Sequence, residues 1–368
     1  LYLASYENNA GVIWTPGFEE GFAAQNGYRI EPFLPALFGT VVVDEETTDR
    51  FLYDYRKTVS ELFIENLYRE GSRICHEHGL VLCSEAGGSG PPLHTVPTED
   101  LKALSAVDVM RGEFWVDKAD RRDADGLESL QIVKPIASAA HIYGRRIVEM
   151  EAFTSHQGWM EGPGVFKRLA DRAFCEGMTR AVYHTMSHNL PEAGRPGWTY
   201  RAGTHVNTNL TWWDLSDQLH AYLARASALL QQGRSVADVL YYYGHAIPNF
   251  ARPKYVRPGL GPGYDYDDLN TEVLLQATVS EDGEIELPSG TRYAVLVLPA
   301  KDTLPTGARV LGQGSRPQAG DGPRDDNRMD LAVLEHVAGL LEQGATVIGD
   351  RPTRTYGLRG HPEEQQRL

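Results

Sequence analysis

The sequence predicts an α/β protein in two parts: a (β/α)8 TIM-type barrel whose amino-terminal strands lie outside this chain, followed by a smaller Rossmann-like or flavodoxin-like α/β domain. Three observations support this prediction. Short apolar runs ending in an ionisable residue recur as far as His188, helical patterns lie between them, and a different pattern of short strands begins after Ser235. A barrel needs such an alternation, because its active site is assembled from loops at the carboxyl ends of its strands.

Five runs are predicted as barrel strands, and the run at 147–154 is the most informative. Apolar Ile147 and Val148 lead into alternating acidic and apolar residues and then into polar residues. This pattern is typical of a buried parallel strand whose carboxyl end opens into a site. Three of the other runs also end at or near a glutamate, and the last ends in histidines. The predicted strands lie near residues 1–7, 80–85, 107–115, 147–154 and 181–188.

Helical patterns separate these strands. Pro163 suits a first helical turn, and Gly144 and Gly233 end helices because glycine tolerates the left-handed conformation found there. Arg145 and Arg146 lie near the negative end of the helix that Gly144 closes. The predicted helices cover residues 19–26, 48–78, 131–143, 163–177 and 212–232.

The pattern changes after residue 233, which predicts a barrel portion over 1–233 and a smaller α/β domain over 234–368. Asp282-Gly283 predicts a hairpin, and residues 312–328, rich in Gly, Pro, Asp and Arg, predict a loose loop. No G-x-G-x-x-G fingerprint occurs, so a nucleotide cofactor is not expected there. The remaining predicted elements are strands at 236–243, 293–298 and 345–348 and helices at 271–276 and 330–343.

Composition and charge narrow the classes of function. The 368 residues are 42% hydrophobic and 23% charged, and no apolar run approaches the ~20 residues of a membrane span. A net charge of −15 argues against unassisted binding to nucleic acid or to an anionic membrane. Cys75, Cys83 and Cys175 lack metal-ligand spacing and are expected to be buried thiols. Because Leu1 already lies inside a strand pattern, we expect a fragment of a longer protein, whose targeting segment would be invisible here.

Glutamates at the ends of the predicted strands are the candidate catalytic groups. Pairs of carboxylates are the usual apparatus for breaking a glycosidic bond, since one protonates the leaving oxygen while the other activates water or attacks the anomeric carbon. Glu7, Glu85, Glu113 and Glu151 all end strands, and buried carboxylates without partners are costly to retain. Glu149 points to the same side of its strand as Glu151, which is preferred because it lies nearer the strand end.

Histidines and tryptophans are candidates for substrate binding. His184 and His188 share a face at strand spacing, and without a third ligand nearby they are expected to donate to sugar hydroxyls rather than to bind zinc. Aromatic faces stack on the apolar faces of sugar rings, which makes Trp115 and Trp212 candidates. For Trp212, at a helix start, packing within the barrel is an equal alternative.

A series of short stretches occurs in order along the chain: Ser5-Tyr6-Glu7, Trp14-Thr15-Pro16-Gly17-Phe18, Cys75-His76-Glu77-His78-Gly79-Leu80, Ser84-Glu85-Ala86, Gly112-Glu113-Phe114-Trp115, Glu151-Ala152-Phe153-Thr154 and Thr211-Trp212-Trp213. Together they resemble the α-L-rhamnosidases of glycoside hydrolase family 106 over roughly residues 1 to 300. The resemblance implies a catalytic barrel within a large multidomain enzyme that hydrolyses terminal α-L-rhamnosyl linkages with inversion and needs calcium to hold the sugar hydroxyls.

The resemblance also implies roles for particular residues. Residues 1–7 would form the fourth barrel strand and 147–154 the seventh, so that Glu7 is the acid and Glu151 the base. Asn207 would bind substrate, in a stretch where this chain lacks an arginine of the family pattern.

Glu85 and Glu113 would then be calcium or sugar ligands, because calcium prefers oxygen ligands in a carboxylate-lined pocket. The expected partner is a carbohydrate, with no nucleic acid and no membrane span, and the resemblance implies a secreted or periplasmic protein. Two alternatives stay open: a retaining β-galactosidase-like barrel and a non-catalytic carbohydrate-binding fragment. Oligomeric state is left open, as is turnover by the fragment alone, since an open barrel exposes strand edges.

Overall fold

Five parallel strands in chain order form the first sheet of the protein. The computed structural model describes residues 1–6, 11–88, 96–116, 133–156, 158–200, 202–203, 206–245, 247, 249, 260–299 and 328–367. The strands of this sheet are β1 (Tyr2–Leu3), β2 (Cys83–Ser84), β3 (Val109–Trp115), β4 (Val148–Thr154) and β5 (Arg180–Tyr183). Each predicted barrel strand is therefore present, and each pairs in parallel with the next. Closure into a barrel stays a prediction, because the described sheet ends at β1 and β5.

Helices separate these strands as the α/β prediction requires. The side chain of Asp44 caps the second helix by accepting a hydrogen bond from the backbone N–H of Thr47 at 2.7 Å, which satisfies one of the unpaired donors of a helix start. The helix predicted over 48–78 is interrupted by a π-helical turn, Ile64–Arg69. The helices are α1 (Phe18–Asn26), α2 (Glu45–Phe63), α3 (Glu70–Glu77), α4 (Asp100–Ser105), α5 (Val133–Ile142), α6 (Pro163–Glu176) and α7 (Asp217–Leu230).

A second parallel sheet follows, with strand order β12-β11-β6-β7. Its strands are β6 (Val239–Tyr242), β7 (Tyr266–Leu269), β11 (Val295–Val297) and β12 (Val347–Ile348). The predicted hairpin is confirmed as an antiparallel pairing of β8 (Thr278–Val279) with β9 (Ile285–Glu286), which β10 (Arg292–Tyr293) extends. Its helices are α8 (Thr271–Leu274), α9 (Leu331–Glu342) and α10 (Glu363–Arg367). Of the loop predicted at 312–328, all but Arg328 lies outside the described residues.

One continuous apolar core joins the two sheets. Met110 and Met150 of the first sheet and Leu240 and Leu296 of the second are buried in the same cluster. Helix α5 packs against β3 and β4 on one side and against β7 on the other. The first sheet and the second fall on either side of residue 233, but their shared core means that the proposed domain boundary there stays a prediction.

Two features of the whole chain bear on the composition arguments. In the part that the structure describes, no helix is both long and apolar enough to cross a membrane. The cysteine prediction is wrong for Cys175, which is exposed on α6, whereas Cys75 is buried and Cys83 is half-buried. Cys175 is exposed because it lies on the outer face of the amphipathic α6, and no disulfide holds it inward.

Gly177, directly after α6, is expected to tolerate no side chain. Its φ is +114°, and an added Cβ would lie 2.5 Å from the Cβ of Ala137 in α5. Gly177→Ala should therefore lower the free energy of unfolding by about 2–4 kcal/mol, through overpacking and an unfavourable backbone conformation. Urea denaturation measures this change. Gly164→Ala on α6, where a Cβ meets open space, is the control and should leave stability equal or higher. Equal midpoints for the two variants would contradict the packing argument.

Candidate active site

Side chains on one face of β3, β4 and β5 form two layers. Register places Arg111 beside Glu149 and Glu149 beside Arg180. Two residues further along, Glu113 lies beside Glu151. The residues that alternate with them along the strands, such as Met110, Met150 and Ala152, are buried in the helix-packed core. Because strand side chains alternate, the charged residues project from the opposite face, which would be the interior of a barrel.

The first layer is an ion-pair cluster centred on Glu149. Arg111 Nε donates to its carboxylate at 2.6 Å, Arg180 Nε lies 2.5 Å away, and the Cys83 thiol lies at 3.2 Å. Burial acts to raise the pKa of Glu149, but the hydrogen bonds and the two arginine charges outweigh burial and hold the pKa below its usual range. Burial together with Glu149 raises the pKa of the Cys83 thiol to about 12. Glu149, predicted to bind substrate, already has two arginines of the protein as partners.

The second layer carries Glu113 and Glu151 side by side. The Thr154 hydroxyl lies 3.3 Å from Glu151 Oε1, and His184 Nδ1 lies 3.5 Å from the same oxygen. Trp115 Nε1 donates to Glu113 at 2.9 Å. Glu151 is more exposed than Glu149, with 16% of its side-chain surface accessible against 5%. Of the two glutamates on β4, Glu151 is therefore the one placed to reach a substrate.

An irregularity in the β3–β4 pairing lies next to these carboxylates. The register shifts between Glu113 and Trp115, so that Trp115 pairs with Thr154, and Phe153 adopts a positive φ of 68°. Phe153 is fully buried and packs edge to face on Phe114, which holds this conformation. Strand bulges commonly re-aim side chains beside active sites, and a positive φ is uncommon for a bulky residue.

Glu85 and Glu113 are the predicted calcium ligands. Glu85 follows β2, is 1% exposed and accepts a hydrogen bond from the Tyr2 hydroxyl at 2.6 Å. Calcium takes six to eight oxygen ligands, and buried carboxylates on neighbouring strands are donors of the right type. Within the described residues, no three acidic, histidine or cysteine side chains converge as a metal site, so a calcium ion would need donors beyond these two.

The two predicted histidines lie in different settings. His184, just after β5, is half-buried, and burial lowers its pKa, which favours the neutral form of the ring beside Glu151. His188 is exposed in the loop beyond the end of β5. The expected common strand face does not form, because β5 ends at Tyr183.

The remaining substrate-binding predictions lie at the rim of the sheet or in its packing. Trp115 is half-buried, with its ring 4.8 Å from that of His156. Asn207 is buried, and its Oδ1 accepts from the backbone N–H of Asn209 at 2.7 Å, so it shapes its own loop. Trp212 packs on the Phe166 ring at 5.8 Å and on the core, which favours the packing alternative.

Two site residues were missed from the sequence, and one predicted residue cannot be placed. Arg111 and Arg180 neutralise Glu149. The sequence held a signal for each: Arg111 lies two positions before Glu113, and Arg180 lies at the start of a strand pattern. Glu7 lies outside the described residues, which resume at Gly11.

A parallel α/β sheet with glutamates gathered at its carboxyl edge is typical of α/β glycoside hydrolases. The chain belongs to glycoside hydrolase family 106, described as α-L-rhamnosidase, whose family model matches residues 2–310. The resemblance read from the sequence is confirmed.

Known relatives extend well beyond this chain. A Formosa agariphila protein named "Putative beta-glucuronidase" is 32% identical over 358 residues, which are 97% of this chain and 27% of that protein. The structure of a rhamnosidase from Novosphingobium sp. PP1Y matches with a TM-score of 0.75 and 29% identity, over 96% of this chain and 31% of that chain. A β-galactosidase from Rahnella sp. R3 shares the fold alone, with a TM-score of 0.51 and 12% identity over 90% and 47% of the two chains.

Proposed function

We propose that the protein containing this chain hydrolyses terminal α-L-rhamnosyl linkages with inversion, using Glu151 as the general base and Glu7 as the general acid. Family membership supports the substrate class. The observation that carries the role of Glu151 is the contrast within β4: the carboxylate of Glu149 has two arginine partners, whereas that of Glu151 lies nearer the strand end and is more accessible.

In this proposal Glu151 removes a proton from water as the water attacks the anomeric carbon. Glu7 protonates the departing glycosidic oxygen on the other side of the sugar ring. Inversion requires ~6.5–9.5 Å between the two carboxyl groups, which leaves room for the water. A neutral His184 adds no positive charge beside Glu151, so the carboxylate keeps its basicity, and the imidazole can bond to a sugar hydroxyl.

A calcium ion belongs to the same proposal. Glu85 and Glu113 would hold it, together with oxygen donors from elsewhere in the protein. When bound, the ion would orient sugar hydroxyls. The Tyr2 hydroxyl and the Trp115 indole N–H fix one carboxylate each, which limits the directions in which Glu85 and Glu113 can present their remaining lone pairs.

The test is the anomeric configuration of the first product formed by the full-length protein from an aryl α-L-rhamnoside, followed by NMR. The β-anomer should appear first, and turnover should fall with a chelator and return on addition of calcium. Retention of configuration would contradict the inverting mechanism. Parallel assays on an aryl β-D-glucuronide, prompted by the name of the Formosa agariphila relative, and on a β-galactoside decide the substrate class. Sugar binding without turnover would instead indicate a binding module.

A further inference from the structure

A small cavity opens at the edge of the first sheet opposite the glutamates. It has a volume of about 130 Å³. Val148, the first residue of β4, and Thr179, just before β5, form its floor, while the proposed catalytic groups lie at the other ends of these strands. The walls come from the segments after α5 and α7 and from residues 289–291 before β10.

Three arginines line this cavity. They are Arg145 and Arg146, after α5, and Arg234, after α7. No carboxylate is among the lining residues, and none of the three makes an ion pair within the described ranges. The fourth basic group of the wall, His141, is bound to Asp267. Such a concentration of positive charge is unexpected in a chain with a net charge of −15.

Helix ends account for only part of this charge. The carboxyl termini of α5 and α7 point towards the cavity, and each carries roughly −0.5 of a charge. Two termini therefore offset about one of the three arginine charges, so roughly two positive charges are left. If the arginines served only to balance the helix dipoles, about one positive charge would be enough, and the cavity has three.

Neighbouring groups position the arginines. The Thr179 hydroxyl donates to the Arg146 carbonyl at 3.1 Å and accepts from the Val148 N–H at 2.9 Å, which fixes the backbone at the cavity floor. A Cβ on Gly290 would lie 2.9 Å from Arg234 Nη1, so the absence of a side chain there leaves room for the guanidinium. Hydroxyls of Ser289 and Thr291, 2.8 Å apart, add uncharged donors.

We propose that this cavity binds a small oxyanion, carried as free phosphate or sulfate or as a carboxylate. Guanidinium groups pair with these anions through two parallel hydrogen bonds, and hydroxyls complete the shell. The cavity volume is large enough to admit a tetrahedral anion. A bound anion would also tie the first sheet to the hairpin segment that carries Ser289 and Thr291.

Isothermal titration calorimetry of the full-length protein with sulfate, phosphate and acetate, at constant ionic strength, tests the proposal. One saturable site of millimolar affinity or better is expected for at least one anion. The variant Arg146→Gln/Arg234→Gln should weaken binding at least about tenfold. Arg225→Gln, at an exposed α7 arginine without an ion pair in the described structure, is the charge-matched control for each single variant, Arg146→Gln or Arg234→Gln, and should bind as the wild type does.

Each outcome of the titrations leads to a different conclusion about the cavity. Binding of acetate alone assigns the site to carboxylates, and binding of sulfate or phosphate assigns it to tetrahedral anions. No saturable heat with any of the three, or equal losses in the cavity variant and Arg225→Gln, overturns the proposal. Single variants and their melting temperatures show whether lost binding reflects lost folding. Glycosidase assays on the same samples report on the opposite edge of the sheet. The result for anion binding is therefore independent of the result for the proposed function.

Discussion

Glu151→Gln in the full-length protein is expected to lower kcat on an aryl α-L-rhamnoside by about 10²–10⁴-fold, with a much smaller change in KM. Glutamine preserves the shape of the side chain and its contacts with Thr154, but it cannot accept a proton from water. Steady-state kinetics measure the loss, and circular dichroism should show an unchanged fold, because Glu151 is not part of the buried arginine cluster around Glu149.

Glu192→Gln is the matched control for this prediction. Glu192 is an exposed carboxylate in the loop after β5, on the short 3-10 turn Pro191–Ala193. It carries the same charge as Glu151 and lies outside both carboxylate layers, so its variant should keep wild-type kcat. Wild-type turnover in Glu151→Gln would remove Glu151 from catalysis and leave the remaining strand-end glutamates as candidates.

Asp267→Asn is expected to lower the free energy of unfolding by about 3–5 kcal/mol, because it removes the buried carboxylate shared by His141 and Lys134 and leaves Lys134 with only the partly exposed Asp265, 3.1 Å away. Asp267 is 1% exposed, at the centre of β7. Its carboxylate lies 3.4 Å from Lys134 Nζ and 2.9 Å from His141 Nδ1, both on α5. The Tyr293 hydroxyl donates at 2.9 Å. Urea denaturation checks the prediction, and Asp282→Asn in the exposed turn between β8 and β9 is the control, expected to change stability by less than about 0.5 kcal/mol.

The pH dependence of this difference follows from the pKa of Asp267. Burial alone would raise the pKa, but the charges of His141 and Lys134 and the hydrogen bonds hold the pKa well below its ordinary value. A carboxyl group with a lower pKa in the folded state stabilises the fold above its unfolded pKa of ~3.9, and this contribution is lost as pH falls towards the folded pKa. The gap between wild type and Asp267→Asn should therefore narrow as the pH falls below about 4. A gap independent of pH down to the acid limit would mean that ionisation of Asp267 does not stabilise the fold.

The strands of the first sheet were predictable from sequence because their apolar runs are local signals. Ile147 and Val148, for example, mark β4 without reference to any other part of the chain. Strand β7 was missed because it lacks such a local signal: Tyr266-Asp267-Asp268-Leu269 contains two charged residues and follows a stretch rich in proline and glycine. Its aspartates can be buried only because partners such as Lys134 and His141 arrive from a helix far earlier in the chain.

The candidate site, too, was predictable from sequence only where the signal is local. By itself the sequence determined the family, the parallel strand order and the glutamates at strand ends, since short motifs and hydrophobic periodicity are written in neighbouring residues. It preferred Glu151 to Glu149 only because Glu151 lies nearer the strand end, since both side chains project from the same side of the strand. Only the tertiary structure decided that Glu149 is neutralised by Arg111 and Arg180 and that Trp212 packs on Phe166. Charge pairing and aromatic packing depend on strand register and on contacts between distant segments, and no local stretch of sequence encodes either.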